Sequence, residues 1–440
     1  MNSLSEKALN FNKKIKVNFD GGDLSSDAGL LIIKEFDEKI GFSKTIKTIV
    51  KFNDPVNHLR HKNEDVLIQK IYQNIADYHA DDHADDFKKD PVFTAVLNKE
   101  RLASQPTISR LNSNFDEDTL KQLQQVNEIL LDRIYKIEPL QNVIFDLDST
   151  NFATYGTQEG ACYNTHYQTE GYHPLLLFDG LTGDCLKAEL RNGNVYTSNN
   201  AKDFIEPVLR KYDAEYPSIT VCIRGDSGFA VPALYEIAEE FEAKYIIRLK
   251  ANAVLYKNAH ELDALLLEKC KPNFVDYQVV YGEFEYQASS WNKPRKVIVK
   301  IEKAAGEITF NHTFIVTNMN LPPKDIVKFY ANRGTMENFI KEGKNGFAFD
   351  KMSSKEFVVN ANKFQTMILA YNLNNWFRRL CLPESMKGNR IETIRLKLIK
   401  IAGKLISTGR YLKFKLCSSY LYQQVFWQIL TKIKQLPQYT

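Results

Sequence analysis

The stretch NVIFDLDST, residues 142–150, is a short apolar run carrying two acids, Asp146 and Asp148. A run of this length, bounded by polar residues, reads as a buried strand. Strand residues two apart share a face, so Asp146 and Asp148 point the same way. A lone carboxylate at a strand end is costly to bury but well suited to holding a hard cation. The plainer alternative is an Asp that starts the following loop. Further along, HPLLLFDGLTGDCLKAELR (173–191) reads as two strands joined by a turn containing Gly180 and Gly183. Then come a helix in AKDFIEPVLRKYDAEY (201–216), a strand in SITVCIRGD (218–226), a helix in PALYEIAEEFEA (232–243) and a strand in KYIIRLKA (244–251). The order strand, strand, strand, helix, strand, helix, strand predicts an α/β fold with a mixed sheet and flanking helices.

Asp226 ends the strand SITVCIRGD, between Gly225 and Gly228, which permit a tight turn and close approach of a ligand. In open α/β sheets, sites gather at the carboxyl ends of parallel strands, where Asp148 and Asp226 both fall. The alternative is an Asp that caps the next helix.

After residue 251 the rhythm changes. FVDYQVVYGEFEYQASSWNKPRKVIVKIEK (274–303) alternates as strands do, and residues 252–312 read as a β-rich insertion into the α/β domain (141–350). PKDIVKFYANRGTMENFIKEGKN (323–345) then reads as one strong helix. Residues 1–140 read as mostly helical, including EDVLIQKIYQNIADYHADD and EDTLKQLQQVNEILLDRIYKI. Between them, Pro106 opens a short helix with Thr107, Ser109 and Arg110, either a DNA-contacting element or a connector. Residues 351–440 read as helical and basic.

Tyr330, Arg333, Glu337, Lys341 and Lys344 follow the spacing i, i+3, i+7, i+11 and i+14. At about 100° per residue they form one narrow stripe on a helix. It offers one carboxylate for a metal and several groups for phosphate. A solvated face with charge pairs is the competing explanation.

These residues carry a resemblance. Tyr330, Arg333, Glu337 and Lys344, at their intervals, resemble the Tyr–Arg–Glu–Lys signature of DDE transposases from bacterial insertion sequences. Asp148 in LDST and Asp226 in RGDSGF match that family's first and second catalytic acids, and Glu337 the third. The likeness spans roughly 140–350 closely and the helical flanks loosely. It implies an RNase H-like core with a β-rich insertion, and metal-dependent cleavage and strand transfer at the ends of an insertion sequence. Two Mg²⁺ ions, replaceable by Mn²⁺, would be held by Asp148, Asp226 and Glu337, with Asp148 bridging. Two such ions about 3.5–4 Å apart activate the attacking oxygen and stabilise the leaving one. Tyr330, Arg333 and Lys344 would contact phosphates of the element's end, with Lys341 beside them, and the partners would be duplex DNA at terminal inverted repeats and target DNA. A homodimer in the DNA complex is expected. In related enzymes an aromatic residue of the insertion stacks on a flipped base, and Trp291 in SSWNKPRK, read as a hairpin tip, is the candidate here; packing in the insertion's own core is the alternative. Asp146 is an orienting residue outside the catalytic set. The competing functions are a catalytically inactive DNA-binding regulator of the same fold and a two-metal nuclease without strand transfer.

Composition agrees with such a partner. The total charge is +4, yet residues 386–440 hold eleven Lys or Arg against one acid, Glu392, leaving −6 for the remainder. A basic tail beside an acidic body points to a polyanion. With the resemblance, residues 1–140 are the expected helical DNA-end-binding region and 351–440 a helical basic C-terminal region. The six cysteines stand singly, so no disulfide framework or zinc ribbon is expected. No apolar run approaches the roughly 20 residues that span a bilayer, and a cytoplasmic, nucleoid-associated protein is expected. His79 and His83 among acids, His173 beside the site, and the stripe Trp376, Phe377 and Leu380 read as structural.

Overall fold

The computed structural model describes residues 7–54 and 60–439. The chain forms two compact units. One comprises Met1–Ile137, Glu342–Phe349 and Asn362–Thr440, and the other Glu138–Lys341 and Asp350–Ala361.

The second unit is built on one eight-stranded sheet. Its strands are β1 (Asn142–Ser149), β2 (Leu175–Asp179), β3 (Cys185–Glu189), β4 (Thr220–Gly225), β5 (Lys244–Leu249), β6 (Gln278–Tyr286), β7 (Arg295–Lys303) and β8 (Asn311–Thr317). The spatial order is β6-β7-β8-β5-β4-β1-β2-β3. β1, β4 and β5 run parallel, and every other pairing is antiparallel. Helices Ala201–Glu215 and Pro232–Glu240 make the crossovers, as the sequence order predicts. All five residues of β2 are buried, the pattern of a strand covered on both faces.

Residues 252–312, expected as a β-rich insertion, hold a helix as well as strands. They open with the helix Ala253–Cys270, and their strands continue the main sheet beyond β5 instead of forming their own layer. The turn between β6 and β7 carries Trp291, which is not the exposed tip expected. Only 7% of it is exposed. Its ring meets Tyr235 and Tyr286 edge-on, each at 5.3 Å, and Arg295 lies over it at 5.6 Å. Three large neighbours converge on the ring and bury it, so it is packed within its own unit and not offered to a base.

The helix expected over 323–345 is also two helices, Pro323–Ala331 and Gly334–Phe347. Asn332 and Gly334 are weak helix formers, and the Arg333 N–H donates to Tyr330 O at 2.9 Å, closing a tighter turn. The first helix packs on a sheet face made by Cys222, Ile246, Ile298 and Ile315, with Ile326 at the centre and Phe329 and Tyr330 against it. The second is anchored by buried Met336 and by Phe339, which stacks on Phe178 at 5.8 Å. Gly183, at φ +75°, leaves the space that Phe339 fills: a Cβ there would sit 2.9 Å from the ring.

The first unit is mainly helical, with helices Leu30–Ile40, Asn63–Ile75, Gln105–Asn112, Glu117–Ile137 and Gln423–Gln435 among them. Trp376 and Phe377 are fully buried in the long helix Phe357–Cys381. The basic region adds a hairpin absent from the sequence reading, Gly403–Ser407 with Leu412–Leu416. No helix among the described residues is long and apolar enough to cross a membrane.

Candidate active site

β1 and β4 lie side by side in parallel, with Cys222 opposite Ile144 and Arg224 opposite Asp146. Alternation along each strand therefore places Ile144, Asp146 and Asp148 on one face, and Cys222, Arg224 and Asp226 on the same face of the neighbouring strand. This is the face the helix Pro323–Ala331 covers. The two strand-end acids are thus brought together at the edge of that helix, where the chain turns toward Arg333 and Glu337.

Arg333 completes the cluster. Its Nη2 lies 3.1 Å from Asp148 Oδ1 and 3.9 Å from Asp226 Oδ2. Asp148 also accepts from the Ser149 N–H at 2.9 Å. Asp226 accepts from the Gly228 N–H at 2.8 Å through Oδ1, capping the short turn Ser227–Phe229. The capping role and the site role coexist, because the cap uses Oδ1 and the other oxygen faces Arg333.

Burial pushes the Asp148 carboxyl up to about 6; Arg333 opposes the shift, and the charges of Asp226 and Glu337 add to it. Burial disfavours the Arg333 charge, yet Asp148 and Asp226 outweigh it and hold the guanidinium above its usual value. Tyr330 is half-buried beside them, its phenol raised chiefly by burial. Tyr167, on the loop before β2, has its phenol raised by burial and then by the charges of Asp148 and Asp226, so it also borders the site.

Glu337 is exposed on the first turn of its helix and acts on Asp148 through its charge. Lys341 is exposed one turn further on, and Lys344 belongs to the first unit. Among the described residues no three acidic, histidine or cysteine side chains converge closely enough to hold a metal by themselves; the cation between Asp148 and Asp226 is Arg333. His173 donates through Nδ1–H to Val195 O at 2.7 Å, a packing role. His79 pairs with Asn74 and Asp77.

Two residues escaped the sequence reading. Arg224 binds Asp146 through two hydrogen bonds, and Tyr167 lies too far along the chain from either acid for spacing to reveal it. The signal for Arg224 was present: it precedes Asp226 by the interval that separates Asp146 from Asp148.

A mixed sheet thus carries acids at the ends of two neighbouring parallel strands, with a third acid on a following helix. The chain belongs to the family described as transposase DDE domain, group 1, whose model matches residues 7–438. It is accordingly a DDE transposase, an enzyme of the polynucleotidyl transferase and endonuclease class. No curated protein matches it. Among solved structures it is similar to a piggyBac transposase synaptic complex with hairpin DNA, at 12% identity and a TM-score of 0.43, covering 94% of this chain and 83% of that one. The donor chemistry fits the divalent ions such domains use, since carboxylate oxygens are the ligands of hard cations. Asp148, largely buried beside Arg333, also feels the negative charges of Asp226 and Glu337.

Proposed function

We propose that this protein cuts and joins DNA at the ends of an insertion sequence by a cut-and-paste route. Asp148, Asp226 and Glu337 are the catalytic acids, and they would hold two Mg²⁺ or Mn²⁺ ions. The observation that carries this reading is the convergence of Asp148 and Asp226 on one arginine, Arg333, from the segment that bears Glu337. Bound divalent ions would neutralise charge on the scissile phosphate and lower the barrier to attack by oxygen.

The chain's own residues do the rest. Asp148 must be ionised, and its position beside Arg333 favours that form. Arg333 and Tyr330 border the acids and would receive phosphate oxygens flanking the cut. Water is the first nucleophile, and the freed 3′-hydroxyl is the second, attacking target DNA. No serine, cysteine or histidine nucleophile is required. The helical region 1–140 would grip the element's terminal inverted repeats, Lys341 and Lys344 would add phosphate contacts, and two copies of the chain would pair the ends.

The test is incubation of the full chain with Mg²⁺ or Mn²⁺ and a duplex carrying the inverted repeats that flank its reading frame. Cleavage and end joining are expected, and Asp148→Ala, Asp226→Ala and Glu337→Ala should each abolish both while leaving end binding. Near-wild-type cleavage by any of the three would remove that acid from the site. Cleavage without joining would leave a nuclease.

A further inference from the structure

Behind the three acids lies a second charged pair that the chemistry does not touch. Arg224 donates to Asp146 through Nε at 2.5 Å and Nη2 at 2.6 Å, a bidentate clamp whose side chains are 1% and 0% exposed. The pair joins β1 to β4 directly opposite in register. Each member lies two residues, roughly 6.6 Å of strand, behind its strand's acid.

Arg224 has a third arm. Its Nη1 donates to Phe329 O at 3.0 Å, and its guanidinium lies 5.7 Å over the Phe329 ring. In an unbroken helix that carbonyl would accept from the Arg333 N–H. Here the Arg333 N–H goes to Tyr330 O, and Arg224 takes the carbonyl left over where the helix breaks. That break is what turns Arg333 in between Asp148 and Asp226. One guanidinium therefore touches the strand of the first acid, starts from the strand of the second, and seals the turn leading to Arg333 and Glu337.

Room for the pair is kept by Gly180. A Cβ there would lie 2.4 Å from Asp146 Oδ2 and 2.8 Å from Arg224 Nη2. Fully buried ion pairs are poor sources of stability, and well-packed apolar replacements of similar volume are often neutral or better. What an apolar pair cannot reproduce is the directed, three-way set of hydrogen bonds.

We infer that Asp146 and Arg224 are positioning residues, a buried clamp that sets the relative placement of Asp148, Asp226 and the Arg333–Glu337 segment and so the metal requirement and rate of cleavage. The inference rests on the three-acid reading above. It is tested in the full chain with the double variant Asp146→Leu/Arg224→Met, chosen because it leaves no unpaired buried charge. The expected result is an unchanged or higher Tm and end binding within about threefold of wild type. Single-turnover cleavage at saturating DNA should fall at least 30-fold, with weaker Mn²⁺ binding in calorimetry without DNA. A pair that merely holds the fold would shift Tm and leave Mn²⁺ binding alone.

Gly180→Ala is the second variant, and it settles the matter if the double variant does not fold. It leaves every charged group in place and forces the clamp apart, so Mn²⁺ binding should weaken and cleavage fall about tenfold. Wild-type cleavage and Mn²⁺ binding by the folded double variant, or by Gly180→Ala should the double not fold, overturns the inference. Asp148→Ala separates the two levels. If it abolishes cleavage while the clamp variants cleave normally, only the positioning role fails. If Asp148→Ala itself cleaves normally, the three-acid reading fails first.

Discussion

Arg333 Nη2 stands 3.1 Å from Asp148 Oδ1, and this contact opposes the effect of burial on the Asp148 carboxyl. It is a single cation against three acids, one of them two-fifths exposed and one fully at the surface. Burial still wins at Asp148, whose carboxyl is pushed up to about 6 despite its neighbour. On the proposed reading, a divalent ion bound at Asp148 would have to compete with protons.

The first prediction follows from this competition. The form of Asp148 that binds a cation is the carboxylate, which prevails above a pKa of about 6 and is lost below it. Between pH 7 and pH 5 the ionised fraction falls roughly tenfold, so Mn²⁺ affinity without DNA should fall by about that factor, with proton release on binding. Asp148→Asn should flatten the profile. Calorimetric titration at the two pH values checks it, and equal affinities would mean that Asp148 is not a ligand.

The sheet order and the two strand-end acids were legible in the sequence because period-2 alternation and element order are local signals. The Asp146–Arg224 clamp was not, because their 78 residues of separation are bridged only by strand pairing. The expectation of one helix over 323–345 fails because the stripe from Tyr330 to Lys344 keeps helical spacing across the break at Asn332–Gly334, while the Phe329 carbonyl freed there is taken by the distant Arg224. Trp291 reads as a tip because the residues beside it are polar; its partner Tyr235 comes from the distant helix Pro232–Glu240, while Tyr286 ends the strand leading into the turn.

A second prediction concerns stability away from the acids. Asp179, at the end of β2, is fully buried, and burial pushes its carboxyl up to about 6 from 3.8 although it accepts from Thr182, Leu181 and Ile144. Folding therefore favours the protonated form. The contribution is present below pH 4 and is lost as pH rises through about 6, a cost of roughly 3 kcal/mol at pH 8. An amide keeps the two acceptor contacts and donates to Thr182 without charge. Asp179→Asn should raise Tm at pH 8 and leave it nearly unchanged at pH 4. A lower Tm at pH 8 would show that the charge is needed.

The third prediction narrows the role of the basic tail. Not all its cations are available: Arg395 is spent on Ile75 O, Asn74 O and Asp77, and Lys400 on Asp27. On the hairpin, Lys404 stands directly opposite Lys415, and Lys413 opposite Ile406, so alternation puts three exposed lysines on one face. Like charges so placed repel, and residues 401–422 contain no acid to relieve them. Replacing all three by Gln should reduce the slope of log K against log salt for duplex DNA by about 2 to 3. An unchanged slope, read by fluorescence anisotropy, would place this face away from DNA.

The last prediction returns to Arg333. Its Nε and Nη2 are buried and make no well-aligned hydrogen bond, although Nη2 is close to Asp148. Donors in that condition are costly unless an acceptor arrives, and a phosphate offers two oxygens to a guanidinium fork. A lysine in the same place supplies nearly the same charge to Asp148 and Asp226 but cannot make the bidentate contact. Arg333→Lys should therefore leave Tm and the metal-free acids little changed, and Mn²⁺ affinity without DNA should stay within about threefold. Cleavage should fall about 100-fold, the scale expected for a misplacement of about 1 Å at the reacting phosphate. Calorimetric Mn²⁺ titration beside a single-turnover cleavage assay separates the two roles. Parallel losses in both would mean that Arg333 serves the carboxylates and does not hold DNA.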